Sequence, residues 1–304
     1  VTALTVPARI SGSDATSCQA CRRYRQIASM NCDFHCHSTC SDGLLPPADV
    51  VRRAHANGVT WLALTDHDEL AGIPEAQATA EELGVRFAPG VEISIEWADT
   101  PIHMVGLAVD PTSADLVAGL TAIRNGREDR ARRMAAELER IGIRGTFEGA
   151  MGYCENPSLI SRAHFARYLV QIGIAKDVKS VFDDYLVPGK PGYVPHRWVT
   201  LEEALAWVHG AGGLAVVAHP GRYKLSNKHL GFFFEAFKDC GGDAIEVVSG
   251  SHGPDEVAKF AHVARKFGFL ASRGSDFHGP GESYSDLGRI ASLPDGLTPV
   301  WEKM

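Results

Sequence analysis

Residues 34–43 read FHCHSTCSDG, which places two histidines, two cysteines and an aspartate within ten positions. Three chemistries could use such a stretch: a zinc-thiolate knuckle, a disulfide, or the first part of a hydrolytic metal site. The i, i+2 spacing of His35 and His37 turns both imidazoles to one face of an extended chain and Cys36 to the other. That weakens the knuckle reading. Cys32, Cys36 and Cys40 are expected to be small buried apolar residues, although the loop position of Cys40 would let it approach a site.

Further metal-capable residues recur along the chain. Asp42 completes the first stretch, and DHD sets His67 between Asp66 and Asp68. Glu92 ends FAPGVE, His103 opens IHMVGL, His219 ends LAVVAH, and Asp276 with His278 repeats the i, i+2 pattern. All nine candidate ligands donate nitrogen or oxygen, a set suited to Mn²⁺, Fe²⁺ or Zn²⁺ rather than a thiolate structural site. They are too many for one ion and too few to close three. Three divalent ions would exceed the charge of Asp42, Glu92 and Asp276 by three, which a hydroxide and a phosphoryl dianion would neutralise. That arithmetic points to phosphate-ester hydrolysis. Asp66 and Asp68 are expected either to cap the following helix or to orient His67.

The elements that must position these residues alternate in type. Pro46-Pro47 followed by ADVVRRAHANG predicts a helix stopped at Gly58, and Gly72 to Leu83 predicts another closed by Gly84. VTWLALT, VRFAPGVEIS, IHMVGLAVD, LAVVAH, DAIEVVS and FGFLASRGSD read as strands, and LEEALAWVHGAG and DEVAKFAHVARKFG as helices. The alternation predicts an α/β fold with a parallel sheet or barrel inside and helices outside. The candidate ligands then fall mostly at strand C-termini, the edge where α/β barrels assemble active sites. Residues 115–190 are charged and helix-prone, so they are expected as a helical insertion, with 30–114 and 191–304 forming the barrel.

The chain has 304 residues, of which 45% are hydrophobic and 22% charged, an ordinary globular profile that needs no disulfide staples. No apolar run is long enough to span a membrane, and no secretory pattern opens the sequence, so the cytoplasm is the expected compartment. A net charge of −7 argues against a protein that holds long DNA or RNA by general electrostatics. Residues 1–29 lack a sustained period and are expected to be a disordered extension, with Cys18 and Cys21 an incidental pair.

The motifs FHCHSTCSDG, LTDHDEL, GVEIS, IHMVG, AHPGRY and GSDFHG, in this order, resemble those of the polymerase and histidinol phosphatase (PHP) superfamily. The resemblance implies a distorted seven-stranded β/α barrel with a trinuclear centre, loaded with Mn²⁺ in the first place and with Fe²⁺ or Zn²⁺ as alternatives. It implies that His35, His37, Glu92 and Asp276 hold one metal and that Glu92 bridges to a second held by His103 and His219. Asp42, His67 and His278 would hold the third. HFARYLV and FDDYLVPGKPGYVPH resemble the branch of nucleoside 3′,5′-bisphosphate phosphatases and 5′→3′ exoribonucleases.

That branch implies removal of the 3′-phosphate from a nucleoside 3′,5′-bisphosphate. The alternatives are exonucleolysis of short 5′-phosphorylated RNA, or hydrolysis of histidinol phosphate. A 5′-phosphate needs a second anion site, for which Arg162, His164, Lys190 and Arg222 are the candidates. Tyr193 or Trp198 would stack on the base. The group that protonates the leaving oxygen is not assigned by the sequence.

Overall fold

The computed structural model describes residues 30–195 and 198–304. The extension predicted for 1–29, with its Cys18–Cys21 pair, lies outside the described residues.

The chain opens with β1 (Cys32–Asp33), α1 (Pro47–Ala56), β2 (Trp61–Leu64), α2 (Ile73–Leu83), β3 (Arg86–Trp97) and β4 (Thr100–Leu107). Proline stands in the first turn of α1, and Val50, Val51 and Ala54 bury its inner face. Gly84 ends α2 with φ +69°, a left-handed cap that favours glycine. Five α-helices follow: α3 (Ala114–Arg124), α4 (Arg127–Arg140), α5 (Thr146–Met151), α6 (Arg162–Gln171) and α7 (Val178–Val181). Alternation then resumes with β5 (Val199–Thr200), α8 (Leu201–Gly210), β6 (Leu214–Val217), α9 (Asn227–Asp239), β7 (Ala244–Ser249), α10 (Pro254–Phe267) and β8 (Leu270–Gly274).

The strands follow the order β1-β2-β3-β4-β6-β7-β8, with β5 added beside β3. The ends of this path approach each other: Phe34 N–H donates to Arg273 O at 3.0 Å and Asp276 N–H to His35 O at 2.8 Å. The result is a nearly closed seven-strand barrel. Closure demands Gly274, because a Cβ there would lie 2.2 Å from the Cβ of His35. One strand departs from the all-parallel expectation. β4 runs antiparallel to both β3 and β6, because only two residues separate it from β3 and no crossover helix fits between them.

Apolar residues from six strands or their ends, among them Phe34, Trp61, Ala88, Val105, Val216 and Ala244, fill the barrel. A larger cluster packs β3, β4, β6 and β7 against the outer helices, including Leu116, Leu120 and Ile123 of α3. Helices α4 to α7 share a cluster of their own around Met134, Leu138, Phe165, Leu169 and Leu186. The long helix-prone run therefore divides at Asn125-Gly126: α3 belongs with the barrel core, and α4 opens a separately packed helical unit. Among the described residues, no helix is long and apolar enough to cross a membrane.

Candidate metal centre

The rim of the barrel gathers the histidines and carboxylates singled out in the sequence. His35 and His37 follow β1, His67 follows β2, Glu92 lies within β3, His219 follows β6, and Asp276 with His278 follows β8. His103 sits near the start of β4 opposite Ser94 of β3. Because β4 is antiparallel, its early residues reach the edge that the other strands reach with their ends.

Glu92 is fully buried at the middle of the pocket. Its Oε1 lies 2.9 Å from both His103 Nδ1 and His219 Nε2, and its Oε2 lies 3.2 Å from His35, 3.3 Å from His37 and 3.0 Å from His67. Asp276 Oδ1 stands 3.5 Å from His35 Nε2 and 3.2 Å from His37 Nε2. Asp42 Oδ1 faces His278 at 3.4 Å and His67 at 3.8 Å. Three convergent groups result: His35, His37, Glu92 and Asp276; His37, Asp42, His67 and His278; and His67, Glu92 and His103. His219 belongs to none of the three but meets the site through Glu92 and through its ring contacts with His35 and His103. The second group expected from the resemblance paired His103 with His219; both face Glu92 Oε1, while His67 faces Oε2 of the same carboxylate.

Several buried atoms of the pocket have no hydrogen-bond partner: His35 Nε2, both His37 nitrogens, Asp42 Oδ1, His67 Nδ1, Glu92 Oε2 and Asp276 Oδ1. A protein interior rarely tolerates such a set, since each unsatisfied buried atom costs about 1–3 kcal/mol. Electrostatics shows the same deficit. Burial penalises charge on Glu92, but His35, His67 and His103 outweigh it and hold the carboxyl well below its ordinary range. Burial also disfavours the His37 cation, yet the adjacent carboxylates of Asp276 and Glu92 push its pKa up to about 9. His219, by contrast, is pushed down to about 4 by burial and by Arg222. Three carboxylates thus converge with imidazoles, and nitrogen and oxygen donors in this arrangement fit divalent metal ions.

The supporting groups lock these side chains in place. Asp66 accepts hydrogen bonds from Ser38 N at 2.7 Å, Ser38 Oγ at 2.6 Å and Ser41 Oγ at 2.6 Å, fixing the loop that carries Asp42. Asp68 accepts from Ser94 N at 2.8 Å and Ser94 Oγ at 3.0 Å, and pairs with Arg127 of α4. Neither aspartate caps a helix; both brace the segments flanking His67. Asp68, His219 and Asp276 have φ of +50°, +26° and +54°, backbone strain concentrated where the donors converge. From the helical unit, Ser161 Oγ donates to Asp42 Oδ2 at 3.1 Å and Arg167 to Asp42 O at 2.6 Å.

Sequence reasoning missed Glu246. It is buried on β7, the one long barrel strand without a candidate ligand. Its Oε1 accepts from His35 Nδ1 at 2.6 Å and its Oε2 from His219 N–H at 2.6 Å. This fixes the His35 tautomer with Nε2 turned to the pocket, as carboxylates do for metal-binding histidines. The signal was a single carboxylate inside the apolar run AIEVVS.

The residues expected at a second anion site are dispersed. Arg222 pairs with Asp276 and donates from Nε to Ser251 Oγ at 3.1 Å. Lys190 is exposed. His164 is buried at the start of α6, where its Nδ1 accepts the Ser161 N–H at 3.0 Å; burial pushes its pKa down to about 4, so it is neutral at pH 7. Arg162 joins two arginines that the sequence had not singled out. Arg127, Arg130 and Arg162 repel one another, and Arg130 is pushed down to about 9 by burial and by the other two. Arg130 donates to Val194 O at 2.9 Å and Arg162 to Leu186 O at 3.1 Å. Among the described residues neither has a carboxylate partner within ion-pair distance. Trp198 lies under the guanidinium groups of Arg127 and Arg130 at 5.1 and 5.6 Å. Tyr193 is within electrostatic range of Arg130 and Arg162.

A near-closed β/α barrel with a histidine–carboxylate pocket at its rim defines a metal-centre protein. Its sequence matches the PHP domain over residues 33–209, and the chain belongs to that family, as its motifs implied. It is 50% identical over 274 residues to the 3′,5′-nucleoside bisphosphate phosphatase of Chromobacterium violaceum, a match that covers 90% of this chain and 96% of that one. It is 42% identical over 272 residues to the 5′-3′ exoribonuclease Rnm of Escherichia coli, covering 89% and 92%. The solved structure of an amidohydrolase from Chromobacterium violaceum, with bound sulfate and no metal, has a TM-score of 0.88 to this one. The two are 50% identical, and the match covers 90% of this chain and 95% of that one.

Proposed function

We propose that this protein is a phosphoric-ester hydrolase that removes the 3′-phosphate from nucleoside 3′,5′-bisphosphates and releases nucleoside 5′-monophosphates. One observation carries the reading: beside the pocket stand Arg130, buried, and Arg162, half-buried, with no carboxylate in ion-pair distance among the described residues. A substrate with a second phosphate supplies the missing negative charge. The relatives named for a bisphosphate phosphatase and for an exoribonuclease support the same substrate class.

The residues that would hold divalent metal ions are His35, His37, Asp42, His67, Glu92, His103, His219, Asp276 and His278. Three Mn²⁺ ions are the proposed complement. When bound, such ions supply Lewis-acid polarisation of the phosphoryl group and neutralise its charge. The chain does the positioning. Arg162 and Arg130 grip the 5′-phosphate, with Tyr193 and Trp198 offering aromatic faces to the nucleoside between the two phosphates. Arg222, held by Asp276 and Ser251, presents its remaining N–H groups to the scissile phosphate. Breaking the P–O3′ bond beside a 5′-phosphorylated nucleoside is also what releases a mononucleotide from the 5′ end of RNA. The exonuclease reading therefore needs the same site and the same leaving oxygen, with the rest of the RNA carried on the attacked phosphorus.

Turnover of adenosine 3′,5′-bisphosphate, histidinol phosphate and a short 5′-phosphorylated RNA by the Mn²⁺-loaded protein tests this. The bisphosphate should give adenosine 5′-monophosphate, and histidinol phosphate should be a poor substrate. Preference for histidinol phosphate would remove the nucleotide assignment and leave the metal centre standing.

A further inference from the structure

The loop after β8 carries Tyr284 with its side chain 67% exposed, the most exposed large apolar or aromatic group among the described residues. On a slack loop such a ring would mean little. This loop is tied on both sides of it. Glu282 pairs with Arg167 of α6 at 2.8 Å, and Ser283 Oγ accepts the His278 N–H at 2.7 Å. Beyond the ring, Ser285 Oγ donates to Gly250 O at 3.4 Å and Asp286 accepts two hydrogen bonds from Arg53, each at 2.7 Å. The neighbours on both sides are anchored, and the tyrosine ring between them is held outward.

Its surroundings are cationic. The Arg222 guanidinium lies 5.7 Å from the ring centroid and reaches the metal pocket through Asp276. Lys179 pairs with Asp183 at 2.6 Å and lies within electrostatic range of Tyr284. Lys190 and Lys224 lie within range of the same Asp183. The two cationic regions meet the pocket at different ligands. Arg162 is within range of Asp42 and Arg127 braces Asp68, whereas Arg222 contacts Asp276.

We propose that Tyr284 is a stacking platform for the nucleotide that follows the scissile phosphate in single-stranded RNA, with Arg222, Lys179, Lys190 and Lys224 facing its backbone. This rests on the reading of the pocket as a hydrolase for 5′-phosphorylated nucleotides, and it adds the subsite for what the attacked phosphorus carries. A rigidly presented ring accepts any base, since every base has a π face, and flanking cations follow the phosphates. A nucleoside bisphosphate has no following nucleotide and leaves the platform idle.

The test compares wild type, Tyr284→Ala and Tyr284→Trp, all Mn²⁺-loaded, on adenosine 3′,5′-bisphosphate and on a 5′-phosphorylated pentaribonucleotide. Tyr284→Ala should lose roughly tenfold in kcat/KM on the RNA, mostly through KM. Its loss should be confined to that substrate, and Tyr284→Trp should restore the rate. Equal losses on both substrates, or no loss on either, would overturn the platform. Wild type that cleaves the bisphosphate but no RNA overturns the platform and spares the phosphatase reading. Wild type inert on both takes down both.

Discussion

The rim pocket and the arginine cluster of the α4–α6 unit both bury charge, and they are left with opposite deficits. In the pocket, carboxylates face histidines, and acceptor and donor atoms remain without partners. In the cluster, Arg130 and Arg162 lean on the carbonyls of Val194 and Leu186 and on the faces of Trp198 and Phe182. Asp68 is the carboxylate that answers Arg127. One region wants cations and the other an anion. A metal-loaded pocket beside an unneutralised guanidinium pair suits a ligand with two phosphates, one for each region.

Removing a pocket carboxylate should have the largest effect. Asp276→Asn takes away a donor that faces His35 and His37 and the partner of Arg222. Turnover should fall on the order of 10³-fold, as when one electrostatic contact to a reacting group is lost. The thermal unfolding midpoint should stay near wild type. Activity within tenfold of wild type would take Asp276 out of the ligand set. Glu246→Ala acts one step further out. It leaves His35 Nδ1–H and His219 N–H without acceptors, and metal affinity should drop roughly 10–100-fold. Metal content after equilibrium dialysis against graded Mn²⁺ reads this directly. Excess metal should recover most of the lost turnover in Glu246→Ala and little in Asp276→Asn, and identical behaviour of the two would erase the distinction between ligand and support.

The two regions also differed in how far the sequence disclosed them. Pocket residues stood out because histidine is uncommon and i, i+2 pairs at strand ends share a face; the structure brings all of them to one rim. The direction of β4 was not readable, since apolar periodicity is the same for a parallel and an antiparallel strand. Hence His103 looked like an odd strand-opening residue. Arg127 and Arg130 were hidden by their setting, REDRARRMAAELER, where three-residue spacing among many charges reads as a solvated helix. Their burial depends on Trp198 and Val194, far away in the chain. Glu246 was overlooked because its partners, His35 and the His219 amide, are distant in sequence. Helix α9 went unassigned as well, although Ser226 caps it and Phe233, Phe234 and Phe237 enter the core.

The arginine side of the comparison is sharpened by substrate choice. Arg162→Ala should raise KM for adenosine 3′,5′-bisphosphate roughly tenfold or more, the cost of a charged hydrogen bond. It should barely change turnover of adenosine 3′-monophosphate, which has no 5′-phosphate. Arg130→Met should weaken the bisphosphate in the same way without lowering the urea midpoint, because it relieves burial of a repelled cation while keeping the apolar stem. A variant that slows both substrates equally would place these arginines at the scissile phosphate instead.

The smallest expected effect tests the helix that joins the two regions. His164 is buried in the first turn of α6, and its unprotonated Nδ1 accepts the Ser161 N–H while Ser161 Oγ holds Asp42. Burial, helped by repulsion from Arg167, Arg127 and His278 and opposed by Asp42, sets its folded pKa at about 4. Unfolded histidine titrates near 6.5. Between these values the unfolded chain binds the extra proton, so stability from this residue is full above about pH 6.5 and declines as pH falls toward 4. From pH 7.5 to 5.5 the loss should be roughly 1 kcal/mol. His164→Asn removes that titration, so the difference in urea midpoint between the two proteins should narrow over this interval. Parallel curves would show that the α6 cap does not depend on a neutral His164, and that the tie between the arginine unit and the Asp42 loop is insensitive to its protonation.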